Sequence, residues 1–238
     1  MTPAVPLRVL STLGVAGIMR RLLPEAAAHG FAPEFRFDPT ARLLDAIRDG
    51  ARGDVAILTG EGIGELAEAG VVAAGTRRDL ARSFIGAAVR AGSPRPDISS
   101  DEACRRTLLA VPSLAYSRAG ASGIFFAGLI ERLGIAAEIN AKARIIPHGF
   151  TAELAAKGEV ALAIQQVSEL MAVPGVDILG KLPPGMNTSV TFAAACWLER
   201  AVMAPTDAAQ AGHVLLAALT LLALLEHWFM VLPLPDQK

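Results

Sequence analysis

An α/β architecture, with mostly parallel sheets flanked by helices and one plan used in each half of the chain, is what this 238-residue sequence predicts. Three observations carry the prediction. Across residues 7–58, short apolar runs alternate with amphipathic stretches as strand, helix, strand, helix, strand, the pattern of right-handed βαβ units. Residues 85–164 repeat the alternation. The composition agrees, because a chain that is 53% hydrophobic yet only 5% aromatic suits buried parallel strands under Ala/Leu-rich helices.

The elements follow in order. Leu7-Arg8-Val9-Leu10 reads as the first strand. Val15, Ile18, Met19, Leu22 and Leu23 then recur at the spacing of a helix with one buried face, closed by Gly30. Phe35-Arg36-Phe37 is the second strand. Thr40 stands as the N-cap of a helix holding Leu43, Leu44 and Ile47, with Gly50 as its stop. Val55-Ala56-Ile57-Leu58 is a buried strand.

In the second stretch Ile85 and Val89 bound a strand, and Pro94 and Pro96 break the chain. Ser99 and Glu102 have capping-box spacing ahead of a helix with Leu108 and Leu109. Leu114-Ala115-Tyr116 is a strand, followed by a helix from Ala121-Ser122-Gly123 through Phe126, Leu129, Ile130 and Leu133. Ile145-Ile146 is a strand. A helix over residues 152–157 stops at Gly158, and residues 161–164 form another strand. The order helix, glycine, buried strand occurs both at Gly50 and at Gly158, one in each half.

Several function classes are disfavoured. A net charge of −1 with 19% charged residues offers no basic face for nucleic acid and no acidic tail. Cys104 and Cys196 lie far apart, with no CxxC pair and no histidine at ligand spacing, so neither a structural zinc nor a disulfide framework is expected. No GxSxG, HExxH or P-loop is present, and the glycines at 60, 62 and 64 read as a turn. No cofactor is implied. Residues 1–6 read as leading into the first strand without a secretory leader, leaving a cytoplasmic protein or one whose leader has been removed or misassigned. Residues 212–225 are nearly all apolar and shorter than a membrane span, borderline if counted through Leu234, and read as a buried C-terminal helix, with membrane association or an atypical tail as the alternatives.

Hydroxyls and glycines gather just after strands in Ser11-Thr12-Leu13-Gly14, in Asp38-Pro39-Thr40, and across residues 117–123. In open parallel sheets, ligands collect at the carboxyl ends of strands, where helix N-termini point free N–H groups outward. Plain capping explains any one of these segments, and all three together favour an anion site. Of the histidines, His29, His213 and His227 are scattered, and only His148 follows a strand. His148 and Glu153 are the bases that proton-transfer chemistry could use. Arg42, Arg78 and Arg118 flank the hydroxyl segments and could present a planar fork to a carboxylate.

Leu7-Arg8-Val9-Leu10-Ser11, Phe37-Asp38-Pro39-Thr40, Asp54-Val55-Ala56-Ile57-Leu58-Thr59, residues 117–123 and residues 158–165 fall in the order seen in molybdate-type substrate-binding proteins of ABC transporters. The stretch from Ala88-Val89-Arg90-Ala91-Gly92 through Asp97-Ile98-Ser99 resembles a signature of the branch that includes aconitate isomerase-like proteins. The resemblance spans residues 7–195. It implies a two-lobed type II periplasmic-binding-protein fold, with residues 1–83 plus 190–238 in one lobe and 84–189 in the other. It also implies a small anion, oxyanion or organic di- or tricarboxylate, held in the inter-lobe cleft for a permease. The ligand-binding residues it implies are Ser11, Thr12, Thr40, Gly120, Ala121, Phe150 and Gln165, and Ser117 and Ser122 join them from the hydroxyl segment at 117–123. Gln165 stands where the family has tyrosine. Binding without chemistry is the expectation, with aconitate isomerisation or a cytoplasmic ligand-sensing module as alternatives, and a periplasmic location by resemblance.

Overall fold

In a computed structural model that describes residues 5–28 and 30–198, the alternation becomes a continuous series of elements. It begins with β1 (Val5–Thr12), a 3-10 turn at Leu13–Val15, α1 (Ala16–Ala28), β2 (Phe31–Asp38), α2 (Thr40–Arg48), β3 (Val55–Thr59) and α3 (Gly60–Glu68). The long β4 (Arg78–Arg90) follows. After it come α4 (Asp101–Ala110), β5 (Leu114–Ser117), α5 (Ala121–Arg132), α6 (Ala136–Asn140), β6 (Ala143–Ile146) and α7 (Thr151–Ala156). The series closes with β7 (Leu162–Gln166), α8 (Val167–Leu170), β8 (Val176–Lys181) and β9 (Ser189–Cys196). His29, His213, His227 and the apolar run at 212–225 lie outside the described residues. No helix among the described residues is long and apolar enough to cross a membrane.

Hydrogen bonding links the strands in the order β2-β1-β3-β9-β4-β7-β5-β6, with β8 also on β4. β1 runs parallel to β2 and β3, and β5 runs parallel to β6 and β7. These are the βαβ units of the sequence. The antiparallel neighbours come from β4, β8 and β9, which make the sheet mixed. β4 serves both ends: residues 78–84 pair with β9, and residues 85–90 pair with β7 and β8. Where β4 changes partner, the Asn187 amide takes the place of a strand. Its oxygen accepts from Ile85 N–H (3.0 Å), and its NH2 donates to the carbonyls of Ile85 (2.9 Å) and Leu182 (2.7 Å).

Packing explains why these runs are strands. Every residue of β3 is buried, with Ile57 against Val9, Val15 and Phe192 on one face and Leu58 against Leu43, Ile63 and Trp197 on the other. At the far end, Phe126, Leu129 and Ile130 of α5 cover Leu114, Tyr116, Leu162 and Ile164. Each such side chain contributes about 1.5–3 kcal/mol of burial. The opposite face carries Ala88, Ala115 and Ala163, which meet Ala152 and Ala155 of α7, small residues that let the helix pack closely on the sheet. Cys104 and Cys196 are buried free thiols, and burial pushes the Cys104 thiol up to about 12.

Three local expectations are corrected. Thr40 is the first residue of α2, and the cap position belongs to Pro39, whose ring fixes a φ suited to the extended backbone before a helix. The cap of α4 is Ser100, extended at φ −136°, ψ 163°, whose hydroxyl accepts from Ala103 N–H at 3.2 Å. Ser99 instead donates its N–H to Asp97. The glycines at 60, 62 and 64 open α3, capped by Thr59, whose hydroxyl accepts from Gly62 N–H at 3.2 Å. Gly62 is needed there, since a Cβ would lie 2.8 Å from the Thr40 methyl. The stops at Gly50 and Gly158 hold, with φ of +99° and +74°.

Candidate functional site

A small pocket, partly open to solvent, lies where the carboxyl ends of β1, β3, β5 and β7 meet. Its lining is Thr12, Leu13, Pro39, Thr40, Thr59, Ser117, Gly120, Ala121, His148, Gly149, Gln165, Gln166, Glu169 and Phe192. Pro39-Thr40, Thr59 and Gly120-Ala121 are the starts of α2, α3 and α5, so three helix N-termini face one space. Each such end carries about half a positive charge and unpaired N–H donors.

The hydroxyls differ in how far the chain already uses them. Thr40 Oγ1 accepts from Thr59 N–H at 3.3 Å, which ties the start of α2 to that of α3. Ser117 is buried at the end of β5, and its Oγ has no partner among the described residues. α5 begins at Gly120 without a side-chain cap, so its first N–H groups share the pocket with that hydroxyl. The Gln166 side chain is also buried: its oxygen faces the Glu169 N–H in the capping box of α8, and its nitrogen has no partner among the described residues. A buried polar group left without a bond costs about 1–3 kcal/mol, and a bound ligand would remove that cost.

Gln165 plays a different part. Its Oε1 accepts from Thr151 N–H (2.8 Å) and Thr151 Oγ1 (2.9 Å), while its NH2 donates to Gly149 carbonyl (3.0 Å). It fastens the His148-Gly149 loop to β7 and has little left to offer a ligand. Glu169, buried beside it on α8, accepts from Gln166 N–H at 3.3 Å. Burial pushes its carboxyl up to about 7, opposed by the Gln166 N–H and the Gln165 side chain.

Of the residues expected at a ligand, Thr12, Thr40, Ser117, Gly120, Ala121 and Gln165 line this pocket. Ser11 is fully buried with its hydroxyl given to Thr12 carbonyl (3.2 Å), and Ser122, in the first turn of α5, is buried outside the lining with no partner for its hydroxyl among the described residues. Phe150 sits outside the lining, packed with Leu13 and Ala16, its ring 5.9 Å from the Arg20 guanidinium. None of the three arginines lines the pocket. Arg42 pairs with Asp38 at 3.8 Å, Arg78 donates to the carbonyls of Gly75 and Arg77, and Arg118 is exposed. Their positions beside the hydroxyl segments along the chain do not become positions in the cleft. His148 stands at the exposed rim, and Glu153 is exposed away from it.

Thr59, Gln166, Glu169 and Phe192 escaped the sequence reading. A threonine directly after a buried strand and before a glycine was a usable signal for Thr59. So was the pair Gln165-Gln166 closing an apolar strand.

Comparison with known proteins gives a consistent picture. The family described as bacterial extracellular solute-binding protein matches residues 7–218. An aconitate isomerase from a Pseudomonas species is 38% identical over 189 residues, 76% of this chain and 71% of that protein. The periplasmic molybdate-binding protein of Azotobacter vinelandii superposes with a TM-score of 0.66 at 15% identity, covering 88% of this chain and 90% of that one. The substrate-binding domain of a putative molybdenum ABC transporter from Clostridium difficile gives 0.61 at 14% identity, with 89% and 91% covered. The fold is the type II periplasmic-binding fold.

Proposed function

The chain belongs to the bacterial extracellular solute-binding proteins, and from that premise we propose that it captures a small anion in the pocket at the starts of α2, α3 and α5. The observation that carries the reading is the meeting of three helix N-termini with the Ser117 hydroxyl and the Gln166 NH2, both unpartnered among the described residues. Neutral N–H and O–H donors suit an anion whose charge is spread over several oxygens. The absence of Arg42, Arg78 and Arg118 from the lining supports a compact oxyanion, whereas the 38% identical relative supports a di- or tricarboxylate. The pocket then lies between two lobes, residues 1–83 plus 190–238 and residues 84–189. The switch of β4 from β9 to β7 and β8 after Phe84 supports that division. A periplasmic site of action and delivery to an ABC permease complete the reading.

A thermal-shift screen of molybdate, tungstate, sulfate, citrate and aconitate tests it. A ligand at 100 times its Kd adds about 2.7 kcal/mol of stability. A neutral sugar or amino acid that raises the melting point where every anion fails would overturn the proposal.

The second reading is isomerisation of an unsaturated tricarboxylate, favoured by the aconitate isomerase relative and by His148 at the pocket rim. Such a reaction needs a base within hydrogen-bond reach of the carbon acid. Incubation with cis-aconitate, followed by absorbance, decides between the readings: turnover lost in His148→Ala establishes the second, and no turnover leaves capture alone.

A further inference from the structure

We propose that Glu169 faces the captured anion as a neutral carboxylic acid, so that binding takes up one proton. This rests on the reading of the pocket as an anion site and adds a ligand-facing residue to it.

Glu169 lines the pocket together with Ser117, Gln166 and the start of α5, and it is only 6% exposed. Among the described residues it forms no ion pair. α8 packs against β4, β7, β8, α1, α7 and the Leu13–Val15 turn. β7 and the turn carry no ionisable side chain. The charges on the other elements are engaged or exposed. Arg20 of α1 lies over the Phe37 and Phe150 rings, and Lys181 of β8 over Phe84. Asp177 of β8 accepts from Gly92 N–H, while Arg82 and Arg90 of β4 and Glu153 of α7 are exposed. His148, across the pocket, is at the solvent rim. Among the described residues no cation therefore stands by to hold Glu169 ionised. The carboxyl already titrates near 7 because it is buried.

An anion entering this space would bring a second negative charge beside the first, and in a partly dehydrated pocket one of the two gives way by taking a proton. The protonated carboxyl changes from acceptor to O–H donor, the same chemistry as the hydroxyls and amides around it. Glu169 then adds a donor to the pocket in place of a negative charge.

The test is calorimetric titration of the full chain with molybdate and with cis-aconitate between pH 5.5 and 8.5, in buffers of different ionisation heat. For the wild type the expected result is uptake of close to one proton at pH 8 and a Kd that rises about tenfold per pH unit above 7. In Glu169→Gln, whose amide keeps a donor at all pH values, that uptake and that slope disappear beyond what the probe's own titration contributes. The proton count on the wild type needs no variant to fold. Equal slopes in the two proteins, or no proton uptake by the wild type, would overturn the proposal. Tight binding by the wild type that Glu169→Gln loses at every pH would also overturn it, by showing that the ionised carboxylate is needed. If neither probe binds either protein at any pH, the reading of the pocket as an anion site falls first and this proposal with it.

Discussion

A Cβ placed on Gly123 would lie 1.7 Å from the carbonyl oxygen of Ser117. The end of β5 and the first turn of α5 therefore meet backbone to backbone, and the side chain missing at 123 sets how closely the helix start approaches the Ser117 hydroxyl. Gly123→Ala must push α5 away, against backbone that cannot yield as a side-chain tip can. The expected cost is about 2–3 kcal/mol of stability, read from the urea midpoint, together with loss of anion binding.

Ser117→Ala should act on binding and not on the fold. Among the described residues the buried Ser117 Oγ has no partner, so its removal leaves the unliganded protein as stable as before, or more so. A hydrogen bond to a charged ligand is worth about 1.5–3 kcal/mol, so the anion's Kd should rise tenfold or more. Melting temperature without ligand and Kd by calorimetry, measured on one preparation, separate the two effects.

Gln165→Leu should do the reverse. It removes three hydrogen bonds and leaves Thr151 N–H buried without an acceptor, at an expected cost of about 2–4 kcal/mol. Hydrogen exchange at Thr151 should speed up first. Anion affinity should fall only as far as the His148-Gly149 loop loosens.

The pH dependence of stability should carry the mark of Glu169. Burial raises its carboxyl from 4.5 to about 7, so between those values the folded chain binds the proton that the unfolded chain has lost. Stability therefore falls as pH rises through this window and levels off above it. The loss is on the order of 3 kcal/mol. Urea titrations of wild type and Glu169→Gln from pH 4.5 to 8 check this. The variant should lack that component of the slope.

The parts legible in the sequence were those whose cause is local. β1 to β3 announce themselves through apolar runs closed by Gly30 and Gly50, and Ser117 and Gly120-Ala121 through their place after such a run. β9 was hidden because Ala193-Ala194-Ala195 favour helix by intrinsic propensity, and only pairing to β3 and β4 overrides it. Glu169 was hidden for a related reason. Its burial depends on β4, whose Ser83 hydroxyl meets Ser168 Oγ at 3.1 Å across 85 residues of chain. The arginines misled because an exposed residue next to a loop in sequence is free to point away from it in space.

β9 also imposes a schedule on synthesis. The edge of β3 that Ala194 covers at Ile57 is made more than half the chain before Ala194 itself. At about 5–20 residues per second, the ribosome leaves that fully buried strand uncovered for on the order of ten seconds. An open apolar edge is a template for pairing with a neighbour on the same polysome. The elements from α4 to β8 can meanwhile assemble, since β5, β6 and β7 find one another without β9. The first half to be translated is thus the last to close, and the nascent chain is an expected client of holding chaperones until Cys196 has emerged.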